Sequence, residues 1–154
     1  MIAPDIDAAT QALLPGCTFA DRYALAIPGA PVDAREAAER AFSRSPRWVE
    51  ALGALRNLLV APLGLKPGVA GANKVGIFPV VSQSPDRLVL GLDDRHLDFR
   101  LVVDAVGHGG GTLVSATTLV RPHNALGRFY LGLIMPFHRL IAPAQLAGAL
   151  RCIP

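Results

Sequence analysis

The chain has 154 residues and a mass of 16.2 kDa, which suits one domain with its own hydrophobic core. Apolar residues make up 51% of the chain and charged residues 18%, a composition that excludes a disordered chain, a coiled coil and a fibrous protein. Residues 1–104 hold eleven basic and twelve acidic residues, whereas residues 105–154 hold four arginines and no acidic residue, so the last third is positively charged.

The two cysteines and the first residues bear on the cellular compartment. Cys17 and Cys152 lie near opposite ends and match no metal-binding or redox spacing, so we expect two reduced thiols. Asp5 and Asp7 occur where a signal peptide would have its apolar region, and no apolar run reaches the ~18 residues of a transmembrane helix. We therefore expect a cytoplasmic protein without a transmembrane segment.

The first half of the chain predicts a short lead, a strand and two helices. Residues 1–16 are typical of one or two helical turns ended by a proline–glycine pair, and residues 18–27 alternate in polarity as a strand does. Asp33 and Glu36 form the capping box of the first helix. A serine–proline pair at 45–46 begins the second helix. Its apolar stripe is Trp48, Leu52, Leu55 and Leu59.

Four strand-like runs follow a glycine-rich loop at 65–74, and short links join them. Because parallel strands need crossovers of about a dozen residues or more, these links predict antiparallel hairpins. Pro79 suggests an edge strand or a bulge in the first run. The runs are 75–82, 87–92, 97–106 and 112–121.

A long amphipathic helix is predicted after Asn124, a favourable N-cap residue. Its apolar positions repeat at helical spacing over four turns. Pro136 and Pro143 lie within this pattern, and a proline inside a helix removes a hydrogen bond, so we expect a bend or a break at Pro136. The apolar positions are Leu126, Phe129, Tyr130, Leu133, Ile134, Phe137, Leu140 and Ile141.

Several segments resemble the DUF2867 proteins, a bacterial family without an established activity. They are DDRHLDFR at 93–100, TTLVRPHN at 117–124, GRFY at 127–130 and PFHR at 136–139, together with SPRW at 45–48 and LRN at 55–57. The order of the elements also resembles START-like, Bet v 1-like domains. This resemblance covers about residues 15–146 and implies one domain over 1–154 with an α+β helix-grip fold. In that fold a curved antiparallel sheet wraps a long C-terminal helix and encloses a cavity.

The common cofactor and catalytic motifs do not occur. The glycine run GHGGG at 107–111 lies between two strands and opens no helix, so it predicts a hairpin turn and not a phosphate-binding loop. Neither G-x-S-x-G nor H-E-x-x-H is present, and Cys and His residues do not cluster at zinc-site spacing. The sequence therefore predicts no cofactor and no metal.

The densest polar cluster is the segment before and within the third of the four runs. His96 could act as an acid or base near neutral pH, with Asp98 orienting it and Arg100 binding a carboxylate or phosphate. Strand alternation, however, places Asp98 and Arg100 on the side opposite Leu97 and Phe99. We therefore expect these two charged residues to face away from the cavity and to pair with each other or with neighbouring strands.

Two further groups are candidate binding residues. His138 and Tyr130 could orient a ligand in an apolar cavity, although a core tyrosine and a helix-capping histidine would leave the same pattern. The predicted ligand-binding set is Trp48, Phe78, Phe99, Tyr130, Ile134 and His138. At the last strand–helix junction a helix N-terminus attracts anions, although a solvated capping junction is the alternative. The predicted anion-binding set is Arg121, His123 and Asn124.

Three function hypotheses remain open. The first is a module that holds a small apolar or amphipathic molecule, with or without an anionic head group, because the positive last third favours an anion. The second is an enzyme on the same scaffold, of cyclase, hydrolase or isomerase type, that uses His138 or His96 with Tyr130; the residues assemble no complete acid–base set. The third is a homodimer or partner-binding protein, with association to a membrane surface through the arginines and the bent last helix as a variant. At 6% aromatic residues, nucleic-acid binding is not expected.

Overall fold

The structure is a computed structural model of the chain. It describes residues 5–29, 31–43, 47, 51, 73–75, 78–93 and 95–150. The second predicted helix, with Trp48, and residues 65–72 of the glycine-rich loop lie outside these residues. The helices are α1 (Ala8–Gln11), α2 (Ala34–Ser43) and α3 (Ala125–Ala147), and α3 continues into a 3-10 turn at Gly148–Leu150. The strands are β1 (Phe19–Pro28), β2 (Lys74–Val75), β3 (Phe78–Gln83), β4 (Arg87–Asp93), β5 (Leu97–His108) and β6 (Gly111–Pro122).

The described strands form one six-stranded antiparallel sheet in the order β1-β6-β5-β4-β3-β2. The predicted hairpins are therefore confirmed. β1 forms one edge of the sheet and pairs with β6 along its whole length. The predicted run at 75–82 is divided into β2 and β3, which pair with each other. The register of β3 on β4 shifts between Val80 and Ser82, an irregularity beside Pro79.

One side of the sheet, here called the inner face, carries the main core. Its buried residues meet a run of alanines on α2, and Leu146 and Ala149 join them from the C-terminal end. These small side chains let the elements approach closely: a Cβ added at Gly148 would lie 3.0 Å from the Ala41 carbonyl oxygen. The core includes Ile27, Leu88, Leu90, Val103, Val114, Ala34, Ala37, Ala38 and Ala41. A curved antiparallel sheet with a long C-terminal helix on its inner face is the predicted helix-grip α+β fold.

The opposite side of the sheet, the outer face, is crossed by residues 5–18. The single turn of α1 confirms the predicted short lead. Thr10 is fully buried, and its hydroxyl accepts a hydrogen bond from Arg87 Nη2 at 3.0 Å. The Pro15 carbonyl accepts from Arg121 Nη1 at 2.7 Å. This segment therefore lies over β4 and β6.

The C-terminal helix agrees with its prediction in part. It runs without a break through Pro136 and Pro143, so of the two alternatives the break at Pro136 is wrong and the bend stays a prediction. Asn124 caps it as predicted, because its Oδ1 accepts from the Gly127 amide at 2.9 Å. Only part of the predicted apolar face packs inward: Tyr130 is buried, whereas Phe129, Leu133, Phe137 and Leu140 are exposed. No helix within the described residues is long and apolar enough to cross a membrane.

Candidate functional site

A histidine–aspartate pair joins β1 to α3 on the inner face. His138 Nε2 lies 3.0 Å from Oδ2 and 3.2 Å from Oδ1 of Asp21. Alternation along β1 turns Asp21 to the same side as Tyr23, Leu25 and Ile27, which contact the core. Both side chains of the pair are more than four-fifths buried, with exposed fractions of 19% for His138 and 18% for Asp21. The pair is therefore a shielded polar group on a largely apolar face.

Two more residues complete what we call the His138 cluster: Phe19 and Tyr23. The Phe19 ring meets the His138 ring edge-on, with centroids 6.0 Å apart. Burial raises the pKa of the Tyr23 hydroxyl above 10.0, and the charge and hydrogen bond of Asp21 raise it further, while the charge of Arg139 opposes them. Tyr23 therefore keeps its proton at neutral pH.

This arrangement can hold and transfer a proton. A carboxylate on one imidazole nitrogen fixes the orientation of the ring. When Nε2 donates to Asp21, Nδ1 keeps a lone pair for another partner. The protonated Tyr23 hydroxyl donates to the same carboxylate, that of Asp21. The His138 cluster thus contains a base, an orienting acid and a proton donor.

His138 is a predicted binding residue, but Asp21 and Tyr23 are not among the residues predicted from the sequence. Tyr130, the predicted companion of His138, packs instead with Leu97 and Ile134 in a separate group nearer the start of α3. One pattern could have found Asp21. It is an acidic residue at an inward-facing position of an alternating strand, where an apolar residue is expected.

The other predicted ligand-binding residues also lie on the inner face, in two groups. Phe78 and Phe99 face each other with ring centroids 5.2 Å apart, and Phe42 of α2 meets Phe78 edge-on at 6.0 Å. Tyr130 and Ile134 form the second group with Leu97. Trp48 lies outside the described residues. The structure therefore places the described members of the set on one face, in groups separate from the His138 cluster.

Asp98 and Arg100 lie on the outer face, as strand alternation predicted. They do not pair with each other. Arg100 Nη1 donates to Asp93 at 2.7 Å, and Asp98 accepts from Arg121 Nη2 at 2.6 Å and contacts His123 Nε2 at 3.0 Å. Burial alone would raise the pKa of Asp98, but the hydrogen bonds and charges of Arg121 and His123 outweigh it and hold the pKa below 3.8. These pairs link neighbouring strands and face away from the helix.

The same contacts bear on the predicted anion site. Asp98 already compensates the charge of Arg121 and His123, and Asn124 caps the helix. Asn124 also contacts His96, with Nδ2 and Nδ1 3.1 Å apart, so His96 belongs to this junction. An anion bound here would compete with the Asp98 carboxylate, and anion binding stays a prediction. In the described parts of the chain, no three His, Cys, Asp or Glu side chains come close enough together to hold a metal ion.

Comparison with known proteins identifies the family. Residues 13–145 match DUF2867, described as a protein of unknown function. No curated protein matches the chain. Among solved structures, the di-domain ARO/CYC protein BexL from the BE-7585A biosynthetic pathway is similar, with a TM-score of 0.37 and 13% identity over 95% of this chain and 54% of the BexL chain. This chain thus spans about half the length of that protein. Because the family match extends over most of its residues, the chain belongs to the DUF2867 family.

Proposed function

We propose that this domain is a START-like binding module that holds a small apolar or amphipathic molecule between the inner face of the sheet and α3. One observation carries the proposal: the shielded, hydrogen-bonded pair of His138 and Asp21 on a face that is otherwise largely apolar. A carboxylate taken out of water is costly unless it is paired and hydrogen-bonded, and a buried imidazole needs a partner for each ring nitrogen, so packing alone favours apolar residues there. The pair is accounted for if it binds a polar group of the ligand.

The proposal assigns different roles to the three inner groups. The rings of Phe78 and Phe99 would contact the apolar body of the ligand, as would Tyr130 and Ile134. His138 would bind a hydroxyl, carbonyl or carboxylate oxygen of the ligand through the ring nitrogen that Asp21 leaves available. A histidine serves this role well because it can donate or accept.

A fluorescent amphipathic anion, anilinonaphthalene sulfonate, is the probe for a first test on the full chain. We expect saturable binding to the native protein that weakens in His138→Ala and in Phe99→Ala. The matched control is His123→Ala, because His123 also lies 3.0 Å from an aspartate, but on the outer face. Far-UV circular dichroism melts check that each variant is folded.

Two results would overturn the binding proposal. One is an absence of saturable probe binding by the folded wild-type protein. The other is an equal loss of affinity in His138→Ala and His123→Ala. Native mass spectrometry of the purified chain adds a probe-free measurement, since a retained small molecule appears as mass above that of the denatured chain.

A second candidate function is an acid–base enzyme on the same scaffold, as a cyclase, hydrolase or isomerase. The observation that favours it is the His138 cluster itself, in which the carboxylate of Asp21 orients the histidine and also accepts a hydrogen bond from a protonated tyrosine. Turnover of a panel of hydrophobic carbonyl and ester substrates tests it. We expect activity that falls at least about tenfold in His138→Ala and in Asp21→Asn, and not in His123→Ala. Activity unchanged in the first two variants would exclude this mechanism.

A further inference from the structure

The side of α3 that faces away from the sheet carries an apolar stripe. Its members, here called the outward stripe, are Phe129, Leu133, Phe137 and Leu140, with exposed fractions of 64%, 42%, 37% and 62%. They recur at intervals of three and four residues, so they lie side by side over three helical turns. Single exposed apolar residues are ordinary on a protein surface, whereas a contiguous group of this kind marks a contact surface.

Positive charge borders the outward stripe. Arg128 and Arg139 are exposed and eleven residues apart, which is about three helical turns, so both lie on the same flank of the helix, and each directly precedes a stripe residue in the sequence. Neither arginine forms an ion pair with another residue in the part of the chain that the structure describes. Residues 105–154 contain no acidic residue that could compensate them. The surface that fits this side of α3 is therefore apolar and negatively charged.

We infer that the outward stripe docks on the surface of an anionic lipid bilayer, with α3 lying parallel to the membrane plane. The stripe spans about 16 Å along the helix, and its large apolar side chains would enter the boundary between head groups and acyl chains. Arg128 and Arg139 would contact the anionic head groups at one edge.

A second copy of the chain fits this surface less well. Pairing two outward stripes would bring four arginines to one interface, and α3 supplies no carboxylate to neutralise them. The inference depends only on the exposed side of α3. It does not depend on the proposed ligand, since the His138 cluster lies on the opposite side of the same helix.

Vesicle sedimentation with the full chain tests the inference. The probes are vesicles of phosphatidylcholine alone and of phosphatidylcholine mixed with phosphatidylserine. We expect binding to the anionic vesicles that salt weakens, a loss of about fivefold in Arg128→Gln, and a loss of about tenfold or more in the double variant Phe129→Ser, Leu140→Ser. The matched control is Val106→Ser, since Val106 is 58% exposed but lies on β5, away from α3.

The inference is wrong if the folded wild-type chain does not sediment with anionic vesicles, or if Val106→Ser reduces binding as much as the double variant does. It is also wrong if light scattering shows a dimer that the double variant dissociates while vesicles do not bind. If the chain binds polyglutamate as tightly as it binds the anionic vesicles, and the double variant does not weaken that binding, the partner is an acidic protein instead. Circular dichroism melts of every variant separate these outcomes from unfolding, and failure here leaves the probe-binding test of the inner face unaffected.

Discussion

Two glycines of α3 should respond in opposite directions to the same substitution. Gly127 is buried in the first turn, where an added Cβ would overlap the His96 carbonyl oxygen and lie 2.9 Å from its carbon. That oxygen cannot move freely because it accepts a hydrogen bond from the His123 amide at 2.8 Å. Gly132 is exposed one and a half turns later, and an added Cβ there has no neighbour within 4 Å.

The magnitudes follow from these surroundings. Overpacking costs about 1–3 kcal/mol, and a shift of α3 that weakens the Asn124 cap costs about 1 kcal/mol more. The better helix propensity of alanine returns about 1 kcal/mol, so Gly127→Ala should lower the free energy of unfolding by about 1–3 kcal/mol. Gly132→Ala has only the propensity gain and should raise it by about 0.5–1 kcal/mol.

Urea denaturation of the full chain, followed by far-UV circular dichroism, measures both changes. The fitted slopes should stay equal among the variants, so that the midpoints report stability alone. A Gly127→Ala variant as stable as the wild type would refute the close approach of α3 to the start of β5. Destabilisation by Gly132→Ala would refute the exposure of that side of the helix.

Three further predictions concern titration and the helix. Asp98→Asn should make the free energy of unfolding less dependent on pH at acidic pH. Because the pKa of Asp98 is lowered in the folded protein, its pairing stabilises the fold above pH 3.8, and this stability is lost as the pH falls through the folded-state pKa. Urea denaturation from neutral pH down to about pH 3 measures this, and an unchanged pH dependence contradicts it. The pKa of Tyr23 should exceed 10.0, fall in Asp21→Asn and rise in Arg139→Gln, and ultraviolet difference titration measures it. A pKa that rises in Asp21→Asn and falls in Arg139→Gln would contradict the arrangement of the His138 cluster. Pro136→Ala should raise the free energy of unfolding by about 2 kcal/mol because it restores a helical hydrogen bond, and a lower denaturation midpoint would contradict this.

Strand alternation predicted more of the outer face than of the candidate site. Side chains alternate strictly along a strand, so the position of Leu97 and Phe99 on one side placed Asp98 and Arg100 on the other. The partners of these charges did not follow. Asp98 pairs across the sheet with Arg121, and that contact depends on the register between β5 and β6.

The His138 cluster could not be predicted from the periodicity of its strand and helix. Asp21 and His138 are 117 residues apart; alternation along β1 turns Asp21 inward, whereas the apolar pattern of α3 does not include His138. Their meeting depends on where α3 crosses β1, which the packing of the helix against the whole sheet decides. Periodicity gives the direction of a helix face, but not the residue that lies opposite it.

The sequence by itself determined the elements that depend on neighbours along the chain: the caps at Asp33 and Asn124, the antiparallel hairpins and the inner and outer sides of the strands. These features follow from local hydrogen bonding and from the periods of strands and helices. Tertiary structure alone decided that Asp21 meets His138 and that the outward stripe of α3 stays exposed. Both results depend on the crossing of α3 over the sheet. A helix can bury only the part of its apolar surface that the sheet reaches, and no local pattern records how far the sheet extends.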